Sequence, residues 1–245
     1  MQIKTKKKIG AFLFKYRGQL PVILIVISIP VIFNNQSNER IIHPIIEFYG
    51  DYFSFTLLLL GHLIRSMAIG YKNLHTSGKN RDQQVAEKLN TEGVYSLIRH
   101  PLYLGNFLIW MGLAIQLKSI VFILISSMFF ILIYYFIIQL EEMYLRDKFK
   151  KEHEKWSEKT LIFIPKFTNY KRSNGAFNWK MVWKNEYPGI CATLSCIWFI
   201  ELVRIVALKE NILNFNLIST AFLIFLFGFG SKLLKHKTTF FPKEG

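Results

Sequence analysis

Long runs without a charged residue constrain this chain more than any other feature. Residues 18–38, 100–117, 119–140 and 211–231 contain no Asp, Glu, Lys or Arg. A helix rises about 1.5 Å per residue and the hydrocarbon layer of a bilayer is about 30 Å thick, so roughly 20 apolar residues make a span. Two more runs are nearly as clean: residues 52–71 carry only Arg65, and residues 187–208 only Glu201 and Arg204. The pattern predicts an all-α, polytopic membrane bundle of about six transmembrane helices.

Charge supports that reading. The 31 Lys and Arg against 16 Asp and Glu give a net charge of +15, a balance that in a soluble protein points to nucleic acid or an anionic surface. With the N-terminus in the cytoplasm and six alternating spans, the cytoplasmic segments are 1–19, 72–99, 141–187 and 231–245. They hold 26 of the basic residues, the outer segments four, and Arg65 is the remaining one. Such an asymmetry is the positive-inside signature and accounts for the charge without nucleic acid. The expected location is an integral, multi-pass membrane protein with both termini and any active site on the cytoplasmic side. The 16% aromatic content excludes disorder. Cys191 and Cys196 share one apolar run and read as small core residues rather than a disulfide or a metal site. The first apolar run is followed by Asn34, Asn35 and Gln36, so no cleaved signal peptide is expected.

Only Lys118 and Ser119 separate the third and fourth runs, which predicts a tight antiparallel hairpin. Beyond Leu140, Leu145, Phe149 and Trp156 keep a helical spacing among charged residues. The fourth span is therefore expected to continue as an amphipathic helix ending before Pro165. Residues 160–186 read as an interfacial connector with Trp179 and Trp183 at headgroup level. One membrane domain, 1–245, is expected. Its core is about 85–166, its N-terminal spans are 18–38 and 52–71, and its C-terminal spans are 187–208 and 211–231.

Two places break the apolar pattern: Arg99-His100-Pro101 at the entry of the third span, and Glu141-Glu142 at the exit of the fourth. The hairpin brings both to one membrane face. Adjacent carboxylates at the end of an apolar helix are costly to desolvate unless paired, and Arg99 and His100 are the available partners. A mixed-charge cluster of this kind suits a polar, zwitterionic ligand. Singly, each has a plainer reading: the glutamates mark where the helix meets water, Arg99 and His100 anchor to headgroups, and Pro101 is a first helical residue. Arg65, three residues after His62, either snorkels to the interface or faces the bundle to neutralise an anionic headgroup or a reacting carboxylate. The loop His75-Thr76-Ser77-Gly78-Lys79-Asn80-Arg81 is placed to cap a ligand. Glu201 and Arg204 read as a structural i, i+3 pair.

Together these residues resemble a known signature. Gly93-Val94-Tyr95-Ser96-Leu97-Ile98-Arg99-His100-Pro101-Leu102-Tyr103-Leu104-Gly105 resembles the G-x-Y-x-x-x-R-H-P-x-Y-x-G motif of the isoprenylcysteine carboxyl methyltransferase and phospholipid methyltransferase superfamily. Glu141-Glu142-x-x-Leu145-x-x-x-Phe149 resembles that family's E-E-x-x-L-x-x-x-F, and Pro165 its late I-P. The chain departs from the pattern after Phe149, with Lys150 where the family usually has Gly, and with His153 and Trp156 in place of Tyr.

The resemblance implies an integral membrane methyltransferase that uses S-adenosylmethionine and a lipid or lipid-linked acceptor: a headgroup amine, a phosphate or a prenylcysteine carboxylate. Arg99, His100, Tyr103, Gly105, Glu141, Glu142 and His153 are the implied cofactor-binding residues. Glu141 and Glu142 suit an ammonium or ribose hydroxyls, and Arg99 and His100 suit a carboxylate. Arg65 and Glu142 are the expected catalytic residues, and no metal is implied. No G-x-G-x-x-G is present, so a dinucleotide-type fold is not indicated. Two other functions are set aside: an NADPH-dependent membrane sterol-type reductase, similar in helical layout but opposed by the paired Glu141-Glu142 and the complete signature, and a small transporter without enzymatic activity, opposed by the lack of a visible repeat and the gathering of polar residues at one face.

Overall fold

The computed structural model describes residues 3–37, 44–71, 86–212 and 214–237. In chain order the helices are α1 (Ile3–Tyr16), α2 (Pro21–Ser37), α3 (Pro44–Gly70), the single turn α4 (Val94–Leu97), α5 (Pro101–Gln116), α6 (Ile120–Ser157), α7 (Trp179–Ala207) and α8 (Phe215–Lys237). No named strand occurs among the described residues; two isolated bridges tie loops together.

Local chemistry sets the boundaries. Pro101 opens α5 after His100, where a missing N–H is harmless. Lys118, at φ 53°, closes the hairpin turn, and the Ser119 side chain caps α6 by accepting from the Phe122 N–H. Asn178 caps α7 in the same way, accepting from the Met181 N–H at 2.9 Å.

The expected count of six spans is corrected. α3, α6, α7 and α8 are long and apolar enough to cross a membrane, and α1 with α2 makes a fifth if the pair, bent by 71°, counts as one broken span. α5 has only 16 residues, about 24 Å, because His100 and Leu117 of its uncharged run are spent on the helix ends. The expected continuation of the fourth span is present as helix and ends at Ser157, before Pro165, but it is interrupted. At 38 residues, α6 is about 57 Å long, so residues 120–140 already span the bilayer. The remainder is not one smooth surface helix: the backbone breaks at Lys150 (φ 42°, ψ −114°), and His153 beyond it is buried.

A seam of small residues joins α3 to α5 in antiparallel fashion. A side chain on Gly61 would sit 2.7 Å from the Gly105 carbonyl and 2.7 Å from the Ile109 side chain. One on Gly112 would meet Leu58 at 2.8 Å. One turn-pair away, Ser54 donates to the Gly112 carbonyl at 2.8 Å. Small residues spaced by seven on both helices let the backbones approach, the usual route to tight packing where lipid supplies no hydrophobic drive. An aromatic cluster of Tyr103, Phe107, Trp110, Phe130 and Tyr134 fills the α5–α6 hairpin. α1 lies along α6, with Gly10 against the Phe136 carbonyl and Phe14 in the same cluster.

Two stability outcomes follow. Gly61→Val should overpack the seam and destabilise the protein by about 1–3 kcal/mol, read as a lower melting temperature in detergent. Lys150→Gly should relieve a backbone conformation that glycine adopts freely and raise stability by about 1 kcal/mol; an unchanged or lower melting temperature would contradict it.

Candidate active site

The signature loop is held from behind by the segment that follows α6. Gly93 (φ 59°) donates its N–H to the Lys171 carbonyl at 2.8 Å, Arg99 N–H donates to Leu161 at 2.9 Å, and Lys166 N–H to Leu97 at 2.9 Å. Ser96 accepts from the Lys171 N–H at 2.9 Å, and the Trp156 indole donates to the Tyr95 carbonyl at 3.0 Å. Only glycine takes the Gly93 conformation readily, so that residue's place in the motif has a backbone cause. Phe163 of the same segment packs edge-on against Phe107, fastening the strap to the hairpin.

Glu142 is the centre of the cluster. Arg99 Nη1 donates to its Oε2, His100 Nε2 bonds its Oε1 at 2.8 Å, and His153 Nε2 stands 3.4 Å from Oε2. Glu141 accepts from the Tyr103 hydroxyl at 2.6 Å and lies 3.6 Å from His100 Nδ1. The His100 and Tyr103 rings stack at 5.4 Å. The two carboxylates differ in access: the Glu142 side chain is 9% exposed and that of Glu141 31%. Two buried donors in the cluster, Arg99 Nε and His153 Nε2, make no hydrogen bond.

Burial alone would lower the pKa of His100, but hydrogen bonds and charge from Glu141 and Glu142 more than reverse that and push it up to about 9. Glu142 is held below the ordinary carboxylate range. Burial opposes this but is outweighed by the His100 hydrogen bond and by the charges of His100, Arg99 and His153. Burial, aided by Arg99 and Arg146, keeps His153 below its ordinary value against the pull of Glu142. Near neutral pH the cluster therefore holds two cations, Arg99 and His100, against two anions. A compact, largely buried group with both signs within a few ångströms is chemically matched to an amino-acid zwitterion.

A second polar cluster lies deeper. Arg65 grips Glu186 of α7 with two bonds, Nε to Oε2 at 3.0 Å and Nη2 to Oε1 at 2.6 Å, while its Nη1 donates to Asn106 Oδ1. Asn106 donates to the Tyr134 hydroxyl at 2.8 Å. His62 reaches Glu186 at 3.4 Å and Thr193 at 3.1 Å.

Of the sequence-predicted residues, Arg99, His100, Tyr103, Glu141, Glu142 and His153 come together around one carboxylate pair. Gly105 does not face that pair: a side chain there would strike the Arg65 stem and the Gly61 carbonyl, so it serves the helix seam. Arg65 faces the bundle instead of snorkelling. Trp156 meets His153 edge-on at 5.8 Å. Glu201 and Arg204 pair as expected at 2.9 Å, and Arg204 also donates to the Gln116 carbonyl. The loop 75–81 lies outside the described residues. Glu186, Asn106 and Tyr134 were not anticipated. The available signal for Glu186 was an acidic residue at the edge of one apolar run, matching a lone Arg65 inside another.

Comparison with known proteins agrees with this arrangement. A family model described as phospholipid methyltransferase matches residues 52–152. The chain is 31% identical over 137 residues to a probable protein-S-isoprenylcysteine O-methyltransferase of Oryza sativa subsp. indica, covering 52% of this chain and 68% of that protein. It is 32% identical over 121 residues to protein-S-isoprenylcysteine O-methyltransferase B of Arabidopsis thaliana, covering 46% and 58%. It is also 30% identical over 160 residues to the cobalt-zinc-cadmium resistance protein CzcN of Cupriavidus metallidurans, covering 64% and 68%. No solved structure matches. With both motifs assembled on one hairpin of an all-helical membrane protein, the chain belongs to the isoprenylcysteine carboxyl methyltransferase and phospholipid methyltransferase superfamily and is an integral membrane methyltransferase.

Proposed function

We propose that this protein methylates the carboxylate of a lipid-linked acceptor of the prenylcysteine type, with S-adenosylmethionine as donor, at the cytoplasmic membrane face. The observation that carries the reading is the largely buried, mixed-charge cluster of Arg99, His100, Glu141 and Glu142, in which the buried Arg99 Nε donor makes no hydrogen bond. The cytoplasmic placement is supported by the basic residues of the segments that flank the two motifs.

The residues fit this donor molecule. Glu141, the more accessible carboxylate, is suited to accept hydrogen bonds from an ammonium group, and its charge tolerates a sulfonium. Arg99 Nε offers an N–H donor to a carboxylate or hydroxyl. Glu142, tied to Arg99 and His100 and close to His153, fixes all three and sets the proton on His100. Tyr103 orients Glu141. When bound, the sulfonium supplies an electrophilic methyl group, and transfer to a carboxylate oxygen forms an O–C bond as the C–S bond breaks, with no proton to remove. The protein's work is then alignment and exclusion of water. Arg65, seven residues along α6 below the carboxylates by way of Tyr134, or about 10 Å, is the cation placed toward the membrane side, where a lipid-linked carboxylate would lie.

Tritiated methyl transfer by the purified protein into N-acetyl-S-farnesylcysteine should be detected, with little into phosphatidylethanolamine vesicles; the reverse preference would replace the carboxylate by an amine acceptor. Glu142→Gln and His100→Ala should each weaken S-adenosylmethionine binding by about tenfold or more in calorimetry, and unchanged affinity would remove the cluster from the site. His100 also sets a pH dependence. Its folded-state value of about 9 lies above its ordinary 6.5, so its contribution to stability is complete below about 6.5 and is lost as pH rises through 9. Melting temperature should fall across that window, and His100→Gln should flatten the fall.

A further inference from the structure

We infer that Glu186 is a positioning residue for the acceptor side of the site, acting through Arg65. It lies on α7, beyond the residues that the family model matches, and is the most deeply buried carboxylate among the described residues, at 1% exposure. This rests on the reading that Arg65 faces the acceptor, and adds what fixes its direction.

A guanidinium has five N–H donors in a rigid plane. Three of those on Arg65 are spent, two on Glu186 and one on Asn106. Three bonds to a plane define its orientation fully, so the two remaining N–H groups have a set direction. The Arg65 side chain is 20% exposed, which leaves them within reach of a ligand. The stem is guided as well, because it crosses α5 at Gly105, where a side chain would collide with it. Asn106 is held in its turn. Asn106 bonds Tyr134, the Tyr134 ring packs edge-on to Tyr103 at 5.0 Å, and Tyr103 bonds Glu141.

A purely structural tie does not explain the choice of residues. A buried ion pair adds little stability over apolar side chains of similar volume. Orientation gives a functional reason. Without Glu186 the guanidinium would lose two of the three bonds that fix its plane, and its spare donors would no longer keep one direction. With Glu186 in place the spare donors are preset to meet an acceptor carboxylate, so binding costs less ordering.

The test uses the full-length protein in detergent with S-adenosylmethionine and N-acetyl-S-farnesylcysteine. Glu186→Gln keeps the shape and removes the charge. It should raise KM for the farnesylcysteine probe about tenfold, with kcat within about threefold and cofactor Kd unchanged. Tyr134→Phe, which is isosteric, should raise the same KM by a smaller factor, and it decides the matter if Glu186→Gln does not fold. An unchanged acceptor KM, or cofactor affinity lost in parallel, would overturn the inference. If the unaltered protein methylates neither this probe nor any lipid, the acceptor reading fails and this inference with it. An active wild type with unaffected variants sinks the inference alone.

Discussion

A carboxylate with no water around it must be paired, and the architecture at the motif-bearing end of this protein is organised by that requirement at Glu142. Arg99 and His100 arrive from the start of α5, and His153 from beyond the break in α6. None of these would be well placed without the others: the strap 160–171 holds the loop that carries Arg99, and the turn at Lys150 brings His153 back. Removing a partner would leave a buried charge without compensation, which is far more damaging than the pair is stabilising.

The same rule operates deeper in the bundle, where Arg65 and Glu186 answer one another across α3 and α7. Beside that pair, and running away from the Glu142 cluster, a seam of glycine and serine brings α3 within backbone distance of α5. Close approach is what lets the Arg65 stem pass over Gly105 and end at Asn106. Packing in a membrane and placement of polar groups are therefore one design problem here: small residues make room, and the room is taken by a charged side chain that needs a partner.

Much of the motif-bearing end was legible because it is local or nearly so. Arg99, His100 and Tyr103 lie within one turn and a half of Pro101, and a two-residue turn forces Glu141 and Glu142 to the same face. Equal helix rise about that turn sets Tyr103 level with Tyr134, as observed, whereas its bond to Glu141 is a contact that only the folded side chains reveal. What was not legible depends on distance in the chain. Gly105 looked like room for a ligand, but which neighbour fills that room is decided by α3. Lys150 marked a departure from the family pattern, yet its positive φ is a fact of the folded backbone. The span count was overestimated where an uncharged run, 100–117, spends residues on its cap and turn.

The sequence by itself determined that this is a multi-helix membrane protein with a charged cluster at one end of a hairpin, because uncharged runs and charge asymmetry report directly on the bilayer. Tertiary structure alone decided that Arg65 meets Glu186, 121 residues away, and that the two clusters are joined through Asn106, Tyr134 and Tyr103. Those contacts depend on how α7 packs against α3, and no periodicity within either helix specifies which faces will touch.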